Sequence, residues 1–154
     1  MQISEIIVPE AIRSVASISS KKRLFQELGD LASAAYGLSP SSAFSALQER
    51  EALGPTGVGR GVALPHARLI GLDDVRAVFM RLEKPVEFES ADRQPVDLFF
   101  ALFAPSDSGV EHLRALALAS RTMRDKDICS KLRANSNVSA LYAILAEGHQ
   151  SKAA

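Results

Sequence analysis

The sequence predicts a three-layer α/β/α single domain, with a mixed β-sheet flanked by helices on both faces, and three observations carry that expectation. The run PVDLFFALFAP, residues 95–105, is almost continuously apolar, as a strand buried on both faces must be. Capped, amphipathic helical stretches stand before it and after it in the chain, so helices are available to cover both sides. A length of 154 residues with 47% hydrophobic side chains suits one domain with a substantial core.

In chain order, IRSVASIS, residues 12–19, reads as an edge strand. Ser20 caps a helix whose apolar face is Leu24, Leu28, Leu31 and Ala35, and Gly37 ends it. Ser39 followed by Pro40 opens a second helix, with Ala43, Phe44 and Leu47 inward and Gly54 as its stop, which puts Arg50 near the helix end that points into a glycine-rich stretch. Residues 62–64 and VRAVFMRLE, residues 75–83, are further strands. Ser108 and Glu111 have the S-x-x-E spacing of a capping box, which opens a helix with Leu113, Leu116, Ala117 and Ser120 on one side and His112 in its first turn. Two more helices are expected, one from about Asp125 to Arg133 and one capped by Asn137, with Val138, Leu141 and Leu145 inward and Gly148 as its stop. The domain is expected over residues 1–148, with a loose tail over 149–154.

Lys plus Arg equals Asp plus Glu at 18 each, so no global field draws the chain to nucleic acid or to an anionic membrane. The N-terminus lacks a signal-peptide pattern, and no window approaches the ~18 apolar residues of a membrane span. The single cysteine, Cys129, rules out an internal disulfide and fits a reducing compartment, so a cytoplasmic location is expected. His66, His112, His149 and Cys129 form no short zinc-ligand spacing, and no metal or cofactor is expected. There is no G-x-S-x-G elbow for a serine hydrolase.

The stretch GPTGVGRGVALPHARL, residues 54–69, is the most informative. Gly54 to Gly61 approaches the phosphate loop G-x-x-x-x-G-K-[ST], but Gly61 has no hydroxyl to hold a metal ion, and the expected helix comes before the loop rather than after it. Gly57, Gly59 and Gly61 miss the dinucleotide fingerprint by one residue. The glycines are expected to serve a bend between helix and strand. Pro65 should then end the strand and hold His66 at its rim, where imidazole, nucleophilic when neutral, can take up and release a group near pH 7.

The segments EREALGPTGVGRGVALPHA and PVDLFFALFAPSDSGVEHLRALALAS together resemble the enzyme IIA domains of the mannitol/fructose type in the phosphoenolpyruvate-dependent phosphotransferase system. The likeness extends from about Ile3 to Gly148, and PHARLIGLDD on a free-standing domain resembles the nitrogen-related branch of that family. The resemblance implies that His66 accepts a phosphoryl group from the phosphohistidine of an HPr-like carrier, that Arg50 is the active-site arginine and that His112 is the second histidine. It further implies a regulatory output, with potassium transport or sensor proteins among the partners; from charge balance and hydropathy, no binding of nucleic acid and no insertion in a membrane are expected.

From the residues alone, Arg50 could equally pair with Glu49 or Glu51, and His112 could be a helix-surface residue. Thr56, Gly57 and Gly59 are candidates for the phosphate site, with a turn-forming role open for Thr56. Arg60 and Arg68 could hold an acidic partner or only solubilise the surface. A sugar-specific IIA serving a separate permease, or an interaction module without phosphotransfer, are the competing functions.

Overall fold

The computed structural model describes residues 1–153, and side chains as far as residue 147. Two 3-10 turns, Ile3–Glu5 and Pro9–Ala11, lead into β1 (Ile12–Val15). Then come α1 (Lys21–Tyr36), α2 (Pro40–Glu51), β2 (Gly57–Gly59), β3 (Val62–Ala63), β4 (His66–Leu69), β5 (Arg76–Val86), β6 (Val96–Pro105), α3 (Val110–Arg124), α4 (Lys126–Arg133) and α5 (Val138–Ala153). The first two α-helices begin where their serines allow. Ser20 Oγ accepts from Arg23 N at 3.1 Å and Ser39 Oγ from Ser42 N at 3.3 Å, each satisfying a donor that the first helical turn leaves free. Gly37, with φ of 72°, closes α1 in the left-handed conformation.

The sheet runs β1-β5-β6-β3-β2, with β4 also paired to β6. It is mixed: β5 lies antiparallel to β6, while β3 and β4 lie parallel to it and β1 lies parallel to β5. β6 is buried at every position except Asp97, which explains its unbroken apolar sequence. α1 and α2 pack on one another, as do α3 with α4 and α4 with α5, giving the two helical layers of the expected fold. Phe88 joins α1 to the sheet, with ring centroids 5.6 Å from Phe25 and 5.2 Å from Phe99. Burying a side chain of that size contributes about 1.5–3 kcal/mol.

Four expectations are corrected. The glycine-rich stretch is a hairpin rather than a bend: β2 and β3 are antiparallel, joined by Arg60 and Gly61 at φ of 59° and 77°, the signs required by a two-residue type I′ turn. His66 opens a strand instead of standing at the rim of one. Val62 pairs with Leu98, Ala63 with Phe99 and His66 with Leu102, so the offset from β6 is unchanged across Leu64 and Pro65. Pro65, with no N–H to give, still offers its carbonyl to Leu102 N at 2.9 Å, and the ladder resumes.

The third correction concerns α3, which has no capping box. Gly109 is its N-cap without a side-chain bond, and Glu111 instead pairs with Arg114 at 3.2 Å. Its buried stripe is His112, Ala115, Leu118, Ala119, Thr122 and Met123, not the stripe through Leu113, which is exposed. The inward histidine takes a position that an apolar periodicity leaves out, and the stripe turns accordingly. Finally, α5 is capped by Asn137 as expected, with Ala140 N donating to Oδ1 at 3.1 Å, but it continues past Gly148, its expected stop, to Ala153. The side chain of His149 lies outside the described residues.

Gly57 is required by packing. A Cβ there would lie 2.5 Å from Ser90 Oγ and 2.9 Å from Ser90 Cα, so backbone as well as side chain would have to move. Gly57→Ala is expected to lower unfolding free energy by about 1–3 kcal/mol in urea titration.

Candidate active site

Arg50 and His66 come together because α2 packs along β4. Arg50 is in the last turn of α2, and its Nη1 donates to the Gly54 carbonyl at 3.0 Å, which anchors the guanidinium on the turn that follows. Its Nε is then 3.2 Å from His66 Nε2. An arginine can only donate, so Nε2 is the accepting, unprotonated nitrogen of the ring. The other nitrogen, Nδ1, lies 3.0 Å from the Leu64 carbonyl, which can only accept, so Nδ1 carries the proton. The two contacts define one neutral tautomer with its lone pair on Nε2.

His112 enters from α3. It is 6% exposed, and its ring meets the His66 ring edge-on, with centroids 5.7 Å apart and planes at 67°. Its Nε2 is buried and has no hydrogen-bond partner among the described residues. Burial lowers the His66 pKa below the ordinary 6.5; the Leu64 carbonyl opposes it in part, the nearby charge of Arg50 lowers it further, and Glu51 raises it least. Burial also lowers the His112 pKa, with His66 and Arg68 adding to the effect. Both rings are therefore held neutral at pH 7.

The three residues share a cleft of about 410 Å³, lined also by Glu49, Leu53 and Arg68. Leu53 is 84% exposed. Arg68 follows His66 by two residues on β4, on the same face of the strand, and so stands over the same opening. Thr56, Gly57 and Gly59 do not line this cleft. The Thr56 hydroxyl donates to Glu51 Oε2, Gly57 packs against Ser90, and Gly59 packs against the Asp92 carboxylate. Glu51 is the residue that the sequence left unresolved here, and its only signal was its place in the ERE triplet beside Arg50. Cys129 is buried away from the cleft, its Sγ donating to the Met123 carbonyl at 3.1 Å. Among the described residues there is no cluster of side chains suited to a metal ion, and no helix is long and apolar enough to cross a membrane.

A family model described as phosphoenolpyruvate-dependent sugar phosphotransferase system, EIIA 2, matches residues 5–148. The chain belongs to this family. Among its relatives, a nitrogen regulatory protein of Bradyrhizobium diazoefficiens is 45% identical over 146 residues, which cover 95% of each chain. A nitrogen regulatory protein of Escherichia coli is 40% identical over 149 residues, covering 96% of this chain and 91% of its own. The crystal structure of the nitrogen regulatory protein IIA-Ntr from Neisseria meningitidis superposes with a TM-score of 0.86 at 38% identity, over 93% of this chain and 98% of that one. This EIIA domain is thus a phosphotransfer component of the phosphotransferase system by family, and its resemblance to the nitrogen regulatory branch extends over nearly the whole chain.

The lowered histidine pKa values have a consequence for stability. Well above pH 6.5 the rings are neutral in the folded and unfolded chains alike; as pH falls through it the unfolded chain takes up protons that the folded one resists, so stability is lost as pH falls through 6.5 towards the folded-state pKa values. Nitrogen NMR of the EIIA domain should show His66 as the Nδ1–H tautomer, titrating below 6.5. A protonated Nε2 at neutral pH would contradict the assignment.

Proposed function

We propose that this EIIA domain is a phosphocarrier that accepts a phosphoryl group on His66 Nε2 from the phosphohistidine of an HPr-like protein. The observation that carries the reading is the Nε2 lone pair, held by Arg50 at the mouth of an open cleft. In the transfer, the bond between phosphorus and the donor's nitrogen breaks, that nitrogen keeps the electron pair, and the Nε2 lone pair makes the new bond to phosphorus. Positive charge develops on the ring, and the Leu64 carbonyl on Nδ1–H is placed to stabilise it. Arg50 Nε gives up Nε2 and turns to the equatorial phosphoryl oxygens, while Nη1 keeps the guanidinium in place on Gly54. A phosphoryl group on His66 also brings acceptor oxygens beside the buried His112 ring. Exposed Leu53 at the cleft, with exposed Val110 and Leu113 on the helix end that bears His112, suits contact with another protein rather than with a small polar substrate.

The output is regulatory. Phosphorylation places a phosphoryl group with a charge of about −2 on a ring that was neutral, and a partner that binds one state better than the other is all the switch requires. The nitrogen regulatory relatives support this reading over a sugar-specific relay. Potassium transport or sensor proteins are the partners to test first.

With enzyme I, phosphoenolpyruvate and an HPr-like carrier, the wild-type chain should acquire an acid-labile, base-stable phosphoryl group and His66→Ala should acquire none. Arg50→Lys loses the planar fork and should slow uptake by about 10- to 100-fold, the equivalent of one charge-assisted hydrogen bond. His112→Ala should slow uptake without abolishing it. Full-rate transfer by Arg50→Lys would show that the fork is not used, and uptake by His66→Ala would move the acceptor elsewhere.

A further inference from the structure

Glu51 follows Arg50 in the last turn of α2, and its side chain is only 6% exposed. Its Oε1 accepts from Thr56 N at 3.0 Å, and its Oε2 accepts from the Thr56 hydroxyl. Lys21 Nζ approaches Oε1 at 3.0 Å and lies 4.6 Å from the centroid of the Phe88 ring. A buried carboxylate stripped of such partners would be costly to keep charged, so the start of α1, the end of α2 and Thr56 are held as one unit.

That unit touches both members of the transfer pair through the backbone. The turn closed by Glu51 and Thr56 contains Gly54, whose carbonyl holds Arg50 Nη1 at 3.0 Å. The Thr56 carbonyl accepts from Leu64 N at 2.9 Å, and the Leu64 carbonyl in turn holds His66 Nδ1 at 3.0 Å. Thr56 is thus fixed by Glu51 through its N–H and its hydroxyl, and it passes that constraint to Arg50 by way of Gly54 and to His66 by way of Leu64.

We infer that Glu51 and Thr56, with Lys21 as counter-ion, are positioning residues for phosphoryl transfer, holding the Gly54 and Leu64 carbonyls that aim Arg50 and His66 at each other. The inference rests on the phosphocarrier reading and assigns the Thr56 hydroxyl to Glu51, not to the phosphoryl group. In-line transfer between two nitrogens tolerates little misplacement, so a clamp that sets the angle of both groups acts on rate more than on donor affinity.

Thr56→Val removes the hydroxyl and nearly keeps the shape, whereas Thr56→Ser keeps the hydroxyl. Two readouts separate the outcomes. In the unphosphorylated protein, nitrogen NMR should show the His66 Nε2 resonance and its titration displaced in Thr56→Val and restored in Thr56→Ser. With phosphorylated HPr-like donor, Thr56→Val should lower the maximal rate about tenfold or more with the donor KM within about twofold, and Thr56→Ser should recover it. Lys21→Met disturbs the same carboxylate from its outer end and should displace the Nε2 resonance in the same sense, which decides the matter should Thr56→Val fail to fold. A folded Thr56→Val with the wild-type resonance and wild-type maximal rate would overturn the inference, as would a wild-type resonance in Lys21→Met where Thr56→Val does not fold. If the wild-type chain takes up no phosphoryl group at all, the phosphocarrier reading falls, while the Nε2 resonance still reports whether the clamp orients the pair.

Discussion

The register that β6 imposes on residues 62–69 is the constraint on which the site depends. Being buried on both sides, β6 can offer its free edge to a parallel neighbour in only one register without turning apolar side chains outward. β3 takes that register, Pro65 interrupts the hydrogen bonding for one step, and β4 takes it up again with His66 opposite Leu102. The proline costs one ladder donor and leaves the pairing offset intact. His66 is therefore placed by the core of the protein, although its half-buried ring opens on the cleft. α2 then lies along β4 and delivers Arg50, and α3 delivers His112 from the other helical layer.

The electrostatics of the cleft follow from that placement. Burial makes protonating either imidazole costly, and Arg50 beside His66, with His66 and Arg68 beside His112, works in the same direction. The lone pair remains on Nε2 because the Leu64 carbonyl claims the proton on Nδ1. The resting site thus sets the positive charges of Arg50 and Arg68 beside a neutral ring with its lone pair on Nε2, an arrangement that suits an anion and gives a proton nothing to gain.

Much of this was legible in the sequence. Serine caps at Ser20 and Ser39 and the apolar run at 95–105 located two helices and the central strand because each depends on local chemistry or on burial along a single element. His66 stood out through Pro65 and the glycines, and Arg50 and His112 through family resemblance; that the three share one cleft is a matter of topology. The errors have the same source. β2 is three residues long with two glycines, too short to show a period, and its existence depends on the Arg60–Gly61 turn and on β3. The face of α3 was misread because Leu113 belongs to the exposed surface near the cleft while a histidine occupies the inward position. Glu51 and Thr56 went unresolved because a carboxylate in a charged triplet gives no sign of being buried.

The outer rims of the sheet have a consequence for the kind of contact this protein can make. β1 at one rim is four residues long and follows Pro9 closely; β2 at the other is three residues long, twisted through glycines, and preceded by Pro55. Where β4 forms part of the rim, α2 lies against it. Among the described residues, the rim strands leave no long flat run of unpaired N–H and C=O groups to template another chain, which guards against edge-to-edge aggregation. Rims this short also give little hold for β-augmentation, in which a visiting peptide extends the sheet as an added strand. Partners are left to read this protein through its side chains, and at the cleft those are the Arg50 and Arg68 charges set around one neutral ring.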